Sequence, residues 1–217
     1  LSSLYSPLSS QMYRLLRPLL FRLDAERAHH WATGMAGTVQ KLSPALVQPL
    51  FQYEHEALRQ TLWGLDFVNP VGLAAGFDKN ARLVPFWQAL GFGFAEVGSV
   101  TAQASVGNPR PRAFRLPEDA ALINRMGLNN EGADAIAPRL ARLVQQPHRP
   151  LGVNVAKTHD PAILGEAAIE DFRQSLRLLS PHADYLALNV SCPNTAEGKT
   201  FETPEALDAL LQAVFEE

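Results

Sequence analysis

From Thr61 onward, short runs of Val, Leu and Ala alternate with longer segments whose apolar residues recur every three or four positions. The short runs predict strands at 71–75, 94–100, 151–156 and 184–190, and the longer segments predict helices at about 80–90, 132–144, 163–180 and 204–216. Strands separated by amphipathic helices are βαβ units, and they imply a parallel sheet. Just upstream, Leu62–Phe67 reads as a small hairpin that Pro70 ends. One connection breaks the rhythm. Residues 101–131, with Pro109, Pro111 and Pro117, are too many for a routine loop, so this stretch is either functional or carries a hairpin of its own.

Before Thr61 the pattern at 13–40 is that of a pair of helices. Leu16, Leu19, Leu20 and Leu23 recur at helical spacing with Arg14, Arg17 and Arg22 among them. Asp24 can cap a second helix, in which Ala28, Trp31, Met35 and Val39 share a face. Between 12 and 50 there are five Lys or Arg against two acids. A basic, leucine-rich helix pair either lies on an anionic membrane surface or packs on the main domain. The Ser-rich residues 1–11 lack the apolar core of a signal peptide and are set aside as a disordered extension, Met12 being the natural start.

Composition narrows the rest. With 217 residues, 47% of them hydrophobic, the chain can bury a substantial core, and a net charge of −3 gives no reason to expect a nucleic-acid partner. No apolar run reaches the roughly 18 residues of a membrane-spanning helix. No Asp, Glu, His or Cys cluster has metal-ligand spacing, and neither a G-x-G-x-x-G nor a Walker loop is present.

Candidate chemistry lies where ligands bind in parallel α/β folds, at the carboxyl ends of the strands. The first strand runs into Ala74-Ala75-Gly76-Phe77-Asp78-Lys79-Asn80, in which small residues let a ligand approach the backbone and Lys79 supplies a cation. The second ends Glu96-Val97-Gly98-Ser99, and the long connection ends Ile123-Asn124-Arg125-Met126-Gly127-Leu128-Asn129-Asn130. The third carries Asn154 and Lys157; the fourth runs into Asn189-Val190-Ser191-Cys192-Pro193-Asn194-Thr195, with the sole cysteine of the chain. Each has an ordinary explanation as a turn. Together, Asn124, Asn154, Asn189 and Asn194 offer carboxamides that suit a planar heterocycle with alternating carbonyl and N–H groups.

NPVGLAAGFDKN (69–80), INRMGLNN (123–130), GVNVAK (152–157) and NVSCPNT (189–195) follow one another in an order that resembles the dihydroorotate dehydrogenase family over roughly 12–217. The N-terminal helices, with DAERAH at 24–29, are similar to the membrane-associated, quinone-using class, in which such helices form the mouth through which quinone reaches the flavin. The resemblance implies a (β/α)8 TIM barrel, of which the N-terminal half is present, at 56–217, preceded by a small helical segment at 12–55. It implies FMN at Ala75, Gly76, Lys79, Ser99, Asn154 and Asn189. Dihydroorotate would sit against Lys79, Asn124, Arg125, Met126, Gly127, Leu128, Asn189 and Asn194. Cys192 takes the position of the base that removes the C5 proton while hydride leaves C6 for the flavin. A quinone acceptor and a peripheral site on the cytoplasmic membrane face are implied too, with no metal and no obligate protein partner.

Three features depart from that pattern. The quinone-using class commonly has serine at the base position, where the soluble class has cysteine. Leu128 stands where an aromatic is common. The chain stops after four barrel strands, inside the last helix, without the phosphate-binding loops expected after strands seven and eight. The 217 residues therefore read as an inactive part of a longer enzyme. Two alternatives stay open: a soluble fumarate- or NAD-linked dihydroorotate dehydrogenase, which the cysteine favours, and a non-catalytic remnant that binds a membrane surface.

Overall fold

In the computed structural model, which describes residues 7–43, 47–145, 148–193 and 201–217, the expected alternation is present as four parallel strands flanked by helices. Strands β3 (Gly72–Leu73), β4 (Phe94–Val100), β7 (Leu151–Ala156) and β8 (Tyr185–Asn189) lie in that order, each hydrogen-bonded to the next in parallel. Among the described residues the sheet is open. Helices α4 (Val84–Ala89), α5 (Ala133–Leu143), α6 (Glu166–Leu179) and α7 (Pro204–Phe215) follow the strands in turn.

The sheet has two unlike faces because side chains alternate along a strand. Toward the helices point Ala95, Val97 and Val100 of β4 and Leu151, Val153 and Val155 of β7, packed with Ile136 and Leu140 of α5, Phe172 of α6 and Leu210 of α7. The opposite face is built in tiers. At its lower end the rings of Phe94 and Tyr185 lie across Gly72 and Gly152, where an added Cβ would come within 2.3 and 2.2 Å of them. Above them stand Glu96 and Asn154, then Ser99 and Asn189.

Two antiparallel hairpins frame the sheet: β1 (Gln60–Leu62) with β2 (Leu65–Phe67), and β5 (Ala113–Leu116) with β6 (Ala121–Asn124). The second resolves the 101–131 connection, which does carry its own hairpin. Two expected elements are about half as long as their patterns or less. The strand expected at 71–75 is ladder-bonded only at 72–73, and the helix expected from 80 begins at Val84. Asp78 explains the second difference. Its buried carboxylate accepts from the backbone N–H of Arg82 (2.9 Å) and Leu83 (2.7 Å) and from Trp87 Nε1 (3.2 Å), pinning the bends before the helix.

The N-terminal segment folds as α1 (Pro7–Leu20) and α2 (Ala25–Leu42), followed by the single turn α3 (Gln48–Phe51). Helix α1 thus takes in 7–11 of the stretch set aside as disordered; residues 1–6 lie outside the described ones. Asp24 caps α2 as expected, accepting from Glu26 and Arg27 N–H at 3.0 and 3.1 Å. The apolar face of α2 does not behave as its spacing suggests. Ala28 and Ala36 are buried, whereas Trp31 (54%) and Met35 (51%) are exposed, because the helix approaches the main body through small residues, Gly37 lying against Leu83. No described helix is long and apolar enough to cross a membrane. At the other end α7 closes at Phe215, so Glu217 stands beyond the helix, paired with Arg173 and Arg177.

Candidate functional site

Three side chains at the carboxyl ends of β4, β7 and β8 meet. The β4–β7 register shifts between Gly98 and Val100, and this bulge re-aims Ser99 toward the inner face. Gly98 is required there: at φ +111° an added Cβ would lie 2.4 Å from the Asn154 carbonyl oxygen. The Ser99 hydroxyl donates to Asn154 Oδ1 (2.5 Å) and accepts from Asn189 Nδ2 (3.0 Å). The chain of bonds continues downward, Asn154 Nδ2 donating to Glu96 Oε1 (3.0 Å) and Tyr185 OH to Glu96 Oε2 (3.3 Å). Burial, and then the Glu96 charge, push the Tyr185 phenol far above its usual range, so it remains a donor.

The loop after β3 brings in the cation. Gly76, at φ +105°, donates its N–H to the Gly98 carbonyl (2.8 Å), which ties this loop to the bulge. An added Cβ at Gly76 would meet nothing within 4 Å, so the backbone opens onto free space. Ala75 beside it is half-buried. Lys79 is half-buried as well and donates to Asn129 Oδ1 at 2.8 Å. Its pKa is lowered, first by burial and then by Arg112, with the Cys192 sulfur and Glu26 acting in the opposite sense. Cys192, half-buried beyond β8, is therefore close enough to share a field with Lys79.

The long connection supplies the remaining wall. Asn124 ends β6 and is exposed, Arg125 is exposed, and Met126 is half-buried. Gly127 is buried at φ +71°, and its carbonyl is bonded to His159 Nδ1 at 3.0 Å. Leu128 takes a left-handed conformation, φ +55°, in which its carbonyl accepts from Asn130 Nδ2 (2.8 Å). Asn130 is buried and bridges to Thr101, so it fixes the base of the loop rather than facing a ligand. Asn194 lies outside the described residues.

A cavity of about 1120 Å³ opens beside Lys79, between α2, the β3 loop and the β5–β6 hairpin. His29, Gly37, Phe77, Lys79, Leu122 and Asn124 are on its walls. His29 meets the Phe77 ring edge-on at 4.7 Å, and burial, then His30 and Lys79, lower its pKa and keep the imidazole neutral near pH 7.

Sequence reasoning missed Tyr185 and took Glu96 only as part of the run that ends the second strand, without its place in the lower half of the polar chain. One signal was present: Glu96 is the one charged residue of the strand Phe94–Val100. It also missed Glu26 and Arg112, for which a first-turn acid and a proline-flanked arginine give no signal.

The family model for dihydroorotate dehydrogenase matches residues 57–217. A curated relative from Gloeobacter violaceus, named dihydroorotate dehydrogenase (quinone), is 48% identical over 201 residues, covering 92% of this chain and 56% of that protein. One of the same name from Thermus thermophilus is 50% identical over 195 residues, covering 88% and 56%. A crystal structure of DHODH from Eimeria tenella in complex with ferulenol superposes with a TM-score of 0.76 at 34% identity, covering 91% of this chain and 53% of that one. The chain spans little more than half the length of the curated relatives it matches. Their alignments are longer than residues 57–217 and so extend into the N-terminal helices.

Proposed function

This chain belongs to the dihydroorotate dehydrogenase family, and from that premise we propose that the protein carrying it oxidises dihydroorotate to orotate, with FMN as cofactor and a quinone as final acceptor. The observation that carries the proposal is the joining of Ser99, Asn154 and Asn189 at three strand ends, with Lys79 and Cys192 beside them.

The residues fit the cofactor. Ser99, Asn154 and Asn189 offer a hydroxyl and two carboxamides to an edge of alternating carbonyl and N–H groups, and Gly76, next to the half-buried Ala75, presents open backbone on the loop tied to the bulge. Lys79 reaches both cofactor and substrate. When bound, FMN supplies the two-electron acceptor; the protein supplies position, charge and a base. Lys79 neutralises the substrate carboxylate, Asn124, Asn189 and Asn194 hold the pyrimidine edge, and the backbone of Arg125–Leu128 closes over it. Cys192 Sγ takes the C5 proton as the C5–H bond breaks, and the C6 hydride leaves, forming the C5=C6 double bond of orotate. Fixing C5 and C6 against the two acceptors supplies the proximity part of catalysis.

The four parallel strands are the first half of a (β/α)8 barrel in this reading, and residues 12–55 form the acceptor's approach. Tyr13, Leu15, Leu16 and Leu19 of α1 are exposed alongside Arg14 and Arg17, and Trp31 and Met35 of α2 extend the surface. That combination suits peripheral binding to an anionic membrane face. The cavity between α2 and Lys79 is then the way in for quinone.

Cys192 gives the second reading its one support, since a soluble fumarate- or NAD-linked enzyme carries cysteine at this place. Anaerobic mixing of the full-length holoenzyme with dihydroorotate separates the two. Its yellow colour should bleach and return on adding a soluble ubiquinone analogue, while fumarate or NAD leaves it bleached. Recovery with fumarate or NAD alone would transfer the assignment to the soluble class, and a flavin that never bleaches would end it.

A further inference from the structure

The proposed reaction leaves unused a buried ion pair that joins α2 to the long connection. Glu26 is 6% exposed and Arg112 4% exposed. Arg112 Nη2 donates to Glu26 Oε1 at 2.7 Å, and its Nε lies 3.2 Å from both carboxylate oxygens. Arg110, on the exposed side, adds a bond to the same carboxylate at 3.0 Å. Removing two charges from water is costly, and such pairs are weak evidence for stability, although they can set register between elements.

Arg112 reaches the other way too. Its Nη1 donates to the carbonyls of Val106 (2.6 Å) and Asn108 (3.1 Å), and its own carbonyl accepts from Arg125 N–H (2.8 Å). Asn108 in turn donates its N–H to the Met126 carbonyl (3.0 Å) and Nδ2 to the Arg125 carbonyl (2.8 Å). The two strands of chain touch so closely that a Cβ at Gly107 would sit 2.3 Å from the Met126 carbonyl oxygen, and one at Gly127 2.7 Å from Asn108. Residues 106–108 and 125–127 are thus one unit clasped around the guanidinium. That unit leads into Asn129, the partner of Lys79.

We propose that Glu26 is a positioning residue for the substrate loop: from α2 it holds Arg112, and through Arg112 it sets 124–129 where that loop and Lys79 can grip dihydroorotate. The proposal rests on the function proposed above and adds to it a coupling between the acceptor-side helix and the substrate side. Cys192 follows β8 and is not held by Arg112, so the coupling acts on binding more than on proton removal.

The test uses full-length holoenzyme and Glu26→Gln, which keeps the volume and removes the charge. Orotate is titrated by the change it causes in the flavin absorbance, and flavin reduction is followed at saturating dihydroorotate. Displaced contact groups should weaken orotate binding and raise the dihydroorotate KM by about tenfold, while the limiting rate of flavin reduction stays within about threefold. Glu26→Asp, which keeps the charge on a shorter stem, should fall between the two. Wild-type orotate affinity in Glu26→Gln would overturn the proposal, as would equal loss of affinity and limiting rate with no recovery in Glu26→Asp. If Glu26→Gln does not retain flavin, Glu26→Asp is read on the same titration: weaker binding supports the proposal and unchanged binding overturns it. A wild-type flavin that responds to neither orotate nor dihydroorotate would instead sink the functional reading itself.

Discussion

The two faces of the parallel sheet are made by the same strands and do different work. On the helix side, Val97, Val153 and Val155 are fully buried against Phe172, Leu140 and Leu179. On the other side, residues one position away form the polar chain Tyr185–Glu96–Asn154–Ser99–Asn189 and are only half-buried. Burial of apolar surface holds the fold, and it can be complete because nothing on that side needs to meet a ligand. The inner face gives up that burial in exchange for oriented donors and acceptors. Period-two alternation lets one strand serve both ends, and the bulge at Gly98–Ser99 adjusts the aim where alternation alone would turn the hydroxyl away.

If that division holds, losses of function and losses of stability should separate by face. The largest loss of function is expected at Cys192, in the loop above the inner face. In the full-length holoenzyme, Cys192→Ala should slow flavin reduction by dihydroorotate about 10²–10⁴-fold, the usual share of a positioned base. Melting temperature and orotate affinity should hardly move. Stopped-flow flavin reduction at the wild-type rate would show that the thiol only packs.

The largest loss of stability is expected on the other face. Phe172 is fully buried and meets Phe201 edge-on at 5.6 Å between ring centres. Phe172→Ala should cost about 3–5 kcal/mol, the transfer of the ring plus the cavity it leaves. Denaturant unfolding measures this directly. In protein that remains folded, the rate of flavin reduction should be unaltered; a loss of chemistry as large as that at Cys192 would break the separation.

How much of this was legible beforehand follows from the same two faces. The strands and their helices could be read because a buried parallel strand is a near-continuous run of Val, Leu and Ala, as in 94–100 and 151–156. The inner residues could be singled out toward the strand ends, as Ser99 and Asn189 could; Glu96 belongs to such a run, but nothing in the sequence points to its partners, and Tyr185 looks like an ordinary strand member. A hairpin within 101–131 was one of the two readings its length allows, but among Pro109, Pro111 and Pro117 no period-two run marks where its strands Ala113–Leu116 and Ala121–Asn124 lie. The Glu26–Arg112 pair was not legible at all. It joins residues 86 positions apart, and only the folded chain brings them together.

That pair stands apart from both faces, and pH should expose it. The Arg112 hydrogen bond, against the opposing effect of burial and with help from Arg110, lowers the Glu26 pKa from 4.5 to about 2. A carboxyl that stays ionised in the fold favours folding fully above 4.5, and this part is lost as pH falls from 4.5 through about 2. The pH-linked part is about 3 kcal/mol, which is the cost of protonating the pair and not its worth against an apolar replacement. Glu131 also lies below its ordinary range, since its bonds to Arg139 and Arg82 outweigh its burial, so total acid sensitivity is not specific to Glu26. The difference between wild type and Glu26→Gln is specific. Wild type should lose more stability between pH 4.5 and 2 than the variant does, and parallel curves would refute a role for this carboxylate in acid sensitivity.

The smallest effect is the sharpest probe of the inner face. Ser99 donates to Asn154 and accepts from Asn189, so Ser99→Ala deletes two hydrogen bonds at once. Were these groups sealed from water, each orphaned carboxamide would carry its full desolvation penalty. They are half-buried, however, and water can take over the lost partners. The cost should therefore be near the net value of a hydrogen bond, about 1 kcal/mol, or roughly 2–4 °C in melting temperature for a domain of this size. Flavin affinity should fall more clearly than stability, because Asn154 and Asn189 lose the hydroxyl that holds both carboxamides in one orientation. Flavin release during dilution, followed by its fluorescence, gives the first quantity and thermal unfolding the second. A stability loss comparable to that of Phe172→Ala, with flavin affinity unchanged, would mean that the polar chain serves the fold and that the two faces are not divided in their work.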